Sequence, residues 1–421
     1  MKKRVIAVDF GSCNTYMAQS VGGCPAEELN IAVGGDSVHG MKSVIMYRTK
    51  GENVGINEFG QEAINAFGGT SPKKKEANGY ELATNFSSDI DVSEKSRQDA
   101  ICFLSNLLSE ANKQNLHISP SATDVIFSVP NGASDSYRVC LRDIAQKTGW
   151  GNVRLLDRAF GALCYYHDVN NDDDVAKMLH DALFVINVDD GSCEFVVLKD
   201  GSIKYSWSDM LWGGRLFDDL FYQWAIDCSQ ESSNPIMEEQ LIKTGKDFYM
   251  RCIKCRELKD NFSNALVKDK DCPYEEYFMD QYELELSWNE FVRRAQNYIP
   301  SQSFANMTKF PDDISKTILY PDGTTDLLYG FKRELYRALD ISRIPASSIS
   351  KVLLTGSCCN LPFVRDICKD VFGEDKLIRC VNPYAAISIG LIKYCKIKEM
   401  AMNKIQAWLC KRTSKLKERY F

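Results

Sequence analysis

Long hydrophobic runs are missing from this 421-residue chain: no stretch approaches the roughly 20 uninterrupted apolar residues of a spanning helix, so no integral membrane segment is expected. The basic start Met1-Lys2-Lys3-Arg4 leads into an apolar stretch that ends at Asp9, too soon for a signal-peptide core. A cytoplasmic location is therefore expected. Histidine is scarce, and His39, His117, His167 and His180 are isolated from each other and from any nucleophile elbow, which removes support for a hydrolase triad. There is no excess of positive charge, since the net charge is −6, so nucleic acid is not expected as the main partner. Cysteine is plentiful at 16, but without the dense framework of a small secreted domain, so free thiols in a reducing compartment fit better. Cys252-x-x-Cys255 lacks a second pair at zinc spacing and reads as helix packing.

The composition itself, 44% hydrophobic and 26% charged, is that of an ordinary soluble globular protein. At this length the chain should divide into two or more domains. Arg4 to Gln19 reads as a buried strand, a Gly-containing turn and a second strand. Leu183 to Leu198 repeats the device, and Val8-Asp9-x-Gly11-Ser12-Cys13 echoes Val188-Asp189-x-Gly191-Ser192-Cys193, which suggests an internal duplication.

Between the copies, Ser71 to Lys95 reads as an acidic, Ser-rich loop region, followed by a helix over Ser96 to Gln114 and a strand over Asp124 to Val129. A helix over Ser134 to Thr148, a strand over Val153 to Leu156 and a helix over Ala159 to Tyr166 follow, and the polar run Asn170 to Asp174 marks a boundary. The second half predicts helices over Gly214 to Asp227 and Glu238 to Ser263, a β-like insert around Asp269 to Leu286, and a helix from Trp288. Last come a strand over Lys351 to Leu354 and a helix over Pro362 to Phe372. Alternating strands and helices imply parallel βαβ units and an α/β fold. The expected division is a first lobe over 1–182 with an insert at about 38–115, a second lobe over 183–395 with an insert at about 228–310, and a basic C-terminal helix over 396–421.

Holding a polyphosphate between two lobes needs backbone N–H groups in tight turns and a carboxylate for a hydrated divalent cation. Asp9-x-Gly11-Ser12 supplies that set. Alone it is a common hairpin turn, but it recurs at Asp189-x-Gly191-Ser192, and Thr355-Gly356-Ser357 adds a third turn after a strand.

On these motifs the chain resembles the nucleotide-binding domain of the 70-kDa heat-shock chaperones, within the actin and sugar-kinase superfamily. Val8 to Thr15 is similar to the first phosphate loop, and Ser128-Val129-Pro130 with Asp135-Ser136-x-Arg138 to the crossover segment. Leu211-Trp-Gly213-Gly214-x-x-Phe217-Asp218 is similar to the later Gly-Gly segment, Lys351 to Pro362 to the adenosine loop, and Asn382-Pro383 through Gly390 to the closing helix. The resemblance implies a duplicated actin-like ATPase (ribonuclease-H-like) fold with ATP or ADP and Mg in a cleft between the lobes. It implies that Asp9 holds hydrated Mg, that Gly11, Ser12, Cys13, Gly191, Ser192, Gly213 and Gly214 cradle the phosphates, and that Lys259, Ser263, Gly356 and Ser357 hold the nucleoside. Without it, Lys259 reads as a solvated lysine on an amphipathic helix.

Departures from the family pattern are equally informative. The catalytic lysine expected after Phe86 is Ser87, with Lys73-Lys74-Lys75 as a conceivable substitute in a solvated loop. The carboxylate expected after Val153 to Leu156 is Arg158, beside Asp157, and Asn360 and Ser357 replace an arginine and a glycine of the adenosine loop. The second phosphate loop aligns in two ways: ungapped, the catalytic aspartate becomes Asn187 and two glycines become Asp189 and Asp190; with a two-residue deletion, Asp189 is the catalytic carboxylate. An aspartate about 4 Å from a phosphate oxygen repels it by roughly 4 kcal/mol at an effective dielectric near 20, so the ungapped version disfavours triphosphate and weakens hydrolysis.

The segment Lys396 to Phe421 carries eight Lys/Arg against two Glu, and its apolar residues from Ile397 to Tyr420 fall near one helical face. It reads as a helix docked on the first lobe or offered to an acidic partner or membrane surface. The chain shows no β-rich peptide-binding module after the second lobe, so peptide clamping is not expected. Three readings follow: an ATP-binding protein with a weak or degenerate ATPase that signals to a protein partner, an actin-like filament former, and a nucleotide-free pseudoenzyme scaffold.

Overall fold

The computed structural model describes residues 4–33, 40–51, 54–120, 123–151, 153–169, 182–200, 202–209, 212–279, 282–301, 304, 326–379 and 384–396. Two mixed sheets organise them. In the first, the order is Glu27–Glu28, Asn14–Val21, Arg4–Phe10, Thr123–Val129, Val153–Asp157, with the short strand Met41–Lys42 also paired to Asn14–Val21. In the second it is Ser202–Asp209, Cys193–Lys199, Leu183–Val188, Lys351–Thr355, Leu377–Arg379. Each sheet begins as an antiparallel three-strand meander, and each then adds two parallel strands beside its first strand.

Both faces of these central strands are covered, which is why they read as nearly continuous apolar runs. Phe184, Ile186 and Val188 face one core, while Leu183 and Val185 face another, as period-two alternation requires. On the outer side of the first sheet, Ile6, Val8, Val125 and Phe127 pack on Phe103 and Leu107 of the helix Glu94–Lys113 and on Leu141 and Ile144 of the helix Asp135–Lys147. Ser93 and Ser134 cap these helices by accepting from the N–H groups of Ser96 and Tyr137.

Two helices lie between the sheets, and each packs on the sheet of the other half. Ala159, Ala162 and Leu163 of Arg158–Val169 pack on Leu183, Val185 and Leu353 of the second sheet. Ala386, Ile389 and Ile392 of the helix over 386–396 pack on Ala7, Ala18 and Ile126 of the first. The helices cross at Gly161 and Gly390, where a Cβ on either glycine would strike the other helix's backbone. That close approach ties the halves together beneath the cleft.

Several boundaries differ from expectation. The helix Glu94–Lys113 belongs to the first sheet's core rather than to an insert, leaving a smaller insert built on the three strands Ile45–Arg48, Gly55–Phe59 and Tyr80–Ala83. Ser71 to Lys95 is not all loop, since Pro72–Asn78 is a helix ended by left-handed Gly79 and Tyr80–Ala83 is a strand. The helix expected over Glu238 to Ser263 is broken. Glu238–Thr244 stops at Gly245, whose φ of 64° suits glycine, and the chain resumes through Asp247–Tyr249, a π-helical turn Met250–Cys255 and the helix Arg256–Lys268. The insert around Asp269 to Leu286 is a hairpin, Tyr274–Phe278 with Tyr282–Leu286. Most of the basic tail 396–421, the boundary run Asn170 to Asp174, Leu211 and Asn382-Pro383 lie outside the described residues. Lys396 is described, and its Nζ donates to the carbonyl of Cys24 at 2.7 Å. No described helix is long and apolar enough to cross a membrane.

Candidate functional site

The two hairpin loops face each other across one narrow cavity of about 20 Å³, lined by Asp9, Gly11, Ser12, Cys13, Asn14, Tyr16, Arg158 and the run Asp189 to Ser192. Strand register decides how the loops correspond. Phe10 pairs with Thr15 and Val188 with Cys193, so each loop has four residues and Asp9 and Asn187 occupy equal places, one before the end of their strands. Asn187, not Asp189, is thus the counterpart of Asp9. The apparent echo of Asp9-x-Gly11 in Asp189-x-Gly191 is offset by two residues.

Asp9 is buried beneath this cavity. Its Oδ1 accepts a short hydrogen bond from Ser128 Oγ and one at 2.9 Å from Arg158 Nε. Arg158 opens the helix Arg158–Val169, and its Nη1 reaches Glu194 Oε1 at 2.6 Å from the second sheet. Glu194 is fully buried, and its other oxygen accepts from the backbone N and side-chain Nδ2 of Asn131 at 3.1 and 2.7 Å. Burial alone would lower the pKa of Arg158, but Asp9 and Glu194 outweigh it and hold the guanidinium firmly charged. Asp157, the carboxylate beside Arg158 in sequence, is paired with Arg138.

Asp189 is half-buried and accepts from Asn187 Nδ2 at 2.8 Å. Burial, with Asp9 and Glu194 adding to it against Arg158, pushes its carboxyl up to about 7. Asp190 behaves oppositely. Its carboxylate accepts from Asn14 Nδ2 at 2.5 Å and pairs with Arg256 Nη1 at 3.1 Å and Lys259 Nζ at 3.7 Å. Burial would raise this group, yet Arg256 and Lys259 hold it well below the usual carboxylate range.

The expected ligand residues divide accordingly. Gly11, Ser12, Cys13, Gly191 and Ser192 line the cavity with Asp9 and Asp189. Gly191 leaves no room for a Cβ against Ser12, so the loops touch where phosphates were expected to sit between them. Gly213 and Gly214 lie under the second loop: Gly214 N donates to Asp189 O at 2.9 Å, and a Cβ on Gly213 would meet Asp190 O at 2.7 Å. Both glycines thus hold the second loop in place. Lys259 is neither solvated nor aimed at a cavity, because it is buried with its Nζ 2.6 Å from Asp218 Oδ1. Ser263 donates to the carbonyl of Lys259 one helical turn back at 2.7 Å. Gly356 turns the chain at a φ of 88° against Val188, and only Ser357 of that pair lines a larger cavity. Ser87 is buried, and of the lysine run Lys75 reaches across to Thr244 O at 2.5 Å, so it ties the two halves together instead of serving the site.

The residues present do not fit a hydrated divalent cation at Asp9. Arg158 places a fixed positive charge on Asp9 Oδ1, which also accepts from Ser128, both oxygens of Glu194 are taken by Arg158 and Asn131, and among the described residues no cluster of three or more His, Cys, Asp or Glu is arranged to hold a metal ion. Beside the narrow cavity a larger cleft of about 370 Å³ opens, walled by Tyr16, Arg256, Asp260, Ser357 and Tyr384.

Sequence reasoning missed Glu194, Arg256 and Asn131. Glu194 did carry a signal, as a lone charge in the apolar run Cys193-Glu-Phe-Val-Val-Leu198. Arg256 lies three residues before Lys259 on the same helix face. Asn131 had none. A scan of known family models finds no match to the chain.

Proposed function

We propose that this chain is a two-lobed, actin-like protein of the heat-shock 70 nucleotide-binding type whose cleft is held shut by its own charges. It is a non-hydrolysing scaffold that offers its closed form to a protein partner in the cytoplasm. The observation that carries this reading is Arg158, whose guanidinium spans Asp9 on one sheet and Glu194 on the other and stands where catalysis would need a metal. A fixed organic cation neutralises the carboxylates without offering open coordination positions, so it cannot polarise a phosphoryl group as a metal does. Asp190 supports the same reading, because its carboxylate already engages Arg256 and Lys259 and repels a phosphate brought near. The matching order and direction of the two sheets support the duplicated actin-like architecture.

The test is phosphate release with millimolar ATP and magnesium, read together with thermal melting. Turnover at background level and a melting temperature unmoved by ATP, magnesium or chelator are expected. Magnesium-dependent turnover that Asp9→Asn abolishes would overturn the proposal.

A second reading, an ATP-binding protein with a degraded ATPase, draws on the 370 Å³ cleft beside Arg256, Ser357 and Tyr384, which has room for a nucleoside. Calorimetry separates the two. Saturable, magnesium-independent ATP binding that Ser357→Trp blocks favours the second reading, and no heat at millimolar ATP removes it.

A further inference from the structure

Next to the hairpin cavity lies another of about 60 Å³, and its character differs. Its walls are largely apolar, formed by Val44 and Ile64 of the first-half insert and by Phe248 and Phe304 from the second half. Lys42, Arg215, Arg251 and Arg256 line it with positive charge against one carboxylate, Asp218, and Lys42 and Arg256 also line the 370 Å³ cleft, so the two spaces share a wall there. The other side of that wall includes the π-helical turn Met250–Cys255, a distortion that is common at binding sites.

The charges around this cavity do not balance in the same way. Arg251 pairs with Asp219 at 2.9 Å, Arg256 with Asp190 at 3.1 Å and Asp218 at 2.9 Å, and Arg215 is likewise engaged. Lys42, held beside Asn14 by strand pairing, is the cation here for which the described residues provide no hydrogen bond or ion pair. Asp190 and Asp218 act on this ammonium only from a distance, and Arg256 opposes them, so an ammonium half removed from water without a contacting acceptor is costly and an anion from outside relieves that cost. At roughly 10–15 Å³ for each water, the cavity accepts a molecule of about half a dozen non-hydrogen atoms.

We infer that this cavity binds a short organic carboxylate, with its head on Lys42 and its tail among Val44, Ile64, Phe248 and Phe304. Apolar walls favour an acid with a hydrocarbon tail over a hydrated phosphate, which would lose water on every side without recovering partners. Lys42 is held down to about 8 by burial and by Arg256, so a bound carboxylate should push it back up. The site stands apart from the scaffold reading: butyrate binding and ATP turnover are separate measurements, and either can fail alone.

The test titrates the full chain with butyrate, with its neutral amide butyramide and with inorganic phosphate at constant ionic strength, followed by ligand-observed NMR. Butyrate should bind about tenfold or more tightly than butyramide, as expected when a charge-assisted hydrogen bond is lost. The preference should vanish in Lys42→Met and persist in Lys42→Arg. No binding, equal binding of acid and amide, a preference unchanged in Lys42→Met, or phosphate binding in place of butyrate would each overturn the inference. Should Lys42→Met not fold, the titration midpoint of the assigned Lys42 amine in the unaltered protein decides: it should rise with butyrate, and an unmoved midpoint overturns the site.

Discussion

The two hairpins that meet at the cleft share strand order, register and loop length, yet they hold their acids differently. In the first, the acid is in the strand: Asp9 is bound by Ser128 and Arg158. In the second, the same place is an amide, Asn187, whose Oδ1 has no hydrogen-bond partner among the described residues, nor has the hydroxyl of its cross-strand neighbour Thr355. The acids have moved two and three residues along, into the loop, as Asp189 and Asp190. Two hairpins of one backbone form therefore carry unlike charge patterns, and a cation from a helix, Arg158, reconciles them by reaching Asp9 and Glu194 together. The lesson is that two hairpins can share their geometry while differing in their chemistry.

The largest test of this contrast is to remove the reconciling cation. Arg158→Met leaves Asp9 and Glu194 buried without their partner, and breaking a buried pair in this way costs about 3–5 kcal/mol. Urea unfolding should show a loss of that order, with Arg158→Lys intermediate because an ammonium lacks the planar fork that reaches both acids. A loss under about 1 kcal/mol would mean the two acids are not held together by this residue.

Next in size is Asp190→Asn, which keeps the shape but removes the charge facing Arg256 and Lys259. Both cations retain Asp218, so the expected loss is smaller, about 1–3 kcal/mol, the usual range for a hydrogen bond to a charged group. Because the native carboxyl is depressed, this contribution is present above the ordinary carboxylate pKa near 4 and fades as pH falls below it. The measured stability difference between the unaltered chain and the variant should therefore be full at pH 7, begin to shrink below about pH 4, and be lost only at pH values well under 3.

The last contrast belongs to Asp189, and its sign is reversed. The folded chain keeps this proton up to about pH 7, whereas an unfolded aspartate loses it near pH 4, so the folded state binds more protons between these values. Stability should decline across that window as pH rises, and Asp189→Asn should flatten the decline. Melting temperatures recorded from pH 4 to pH 8 check this, and an unchanged slope in the variant would sink it.

What the residues revealed in advance follows from how each signal arises. The strands Arg4–Phe10 and Leu183–Val188 and the helix Pro362–Phe372 were legible because buried strands are apolar on both faces and proline marks a first helical turn. The break at Gly245 and the π turn after it were not, since Tyr249, Met250 and Ile253 continue a helical pattern and hydrophobic spacing does not register one inserted residue. In the site, Arg158 stood out as an oddity against the family pattern. Its link to Glu194, and that of Asn131 to Glu194, were not legible, because these residues come from distant segments that only the folded chain brings together. Lys259 and Ser263 share a helix face as expected, but a face can point at an ion pair as readily as at a ligand.

The π turn Met250–Cys255 carries a geometric consequence. One residue of α-helix corresponds to about 100° of rotation, so the wider turn sets the phase of everything that follows it. Shortening that segment by a single residue would spin Arg256 and Lys259 about a quarter-turn or more off the second loop while leaving the helix intact. The orientation of the clasp is thus set by a spacer in the backbone, at a distance from the groups that close it.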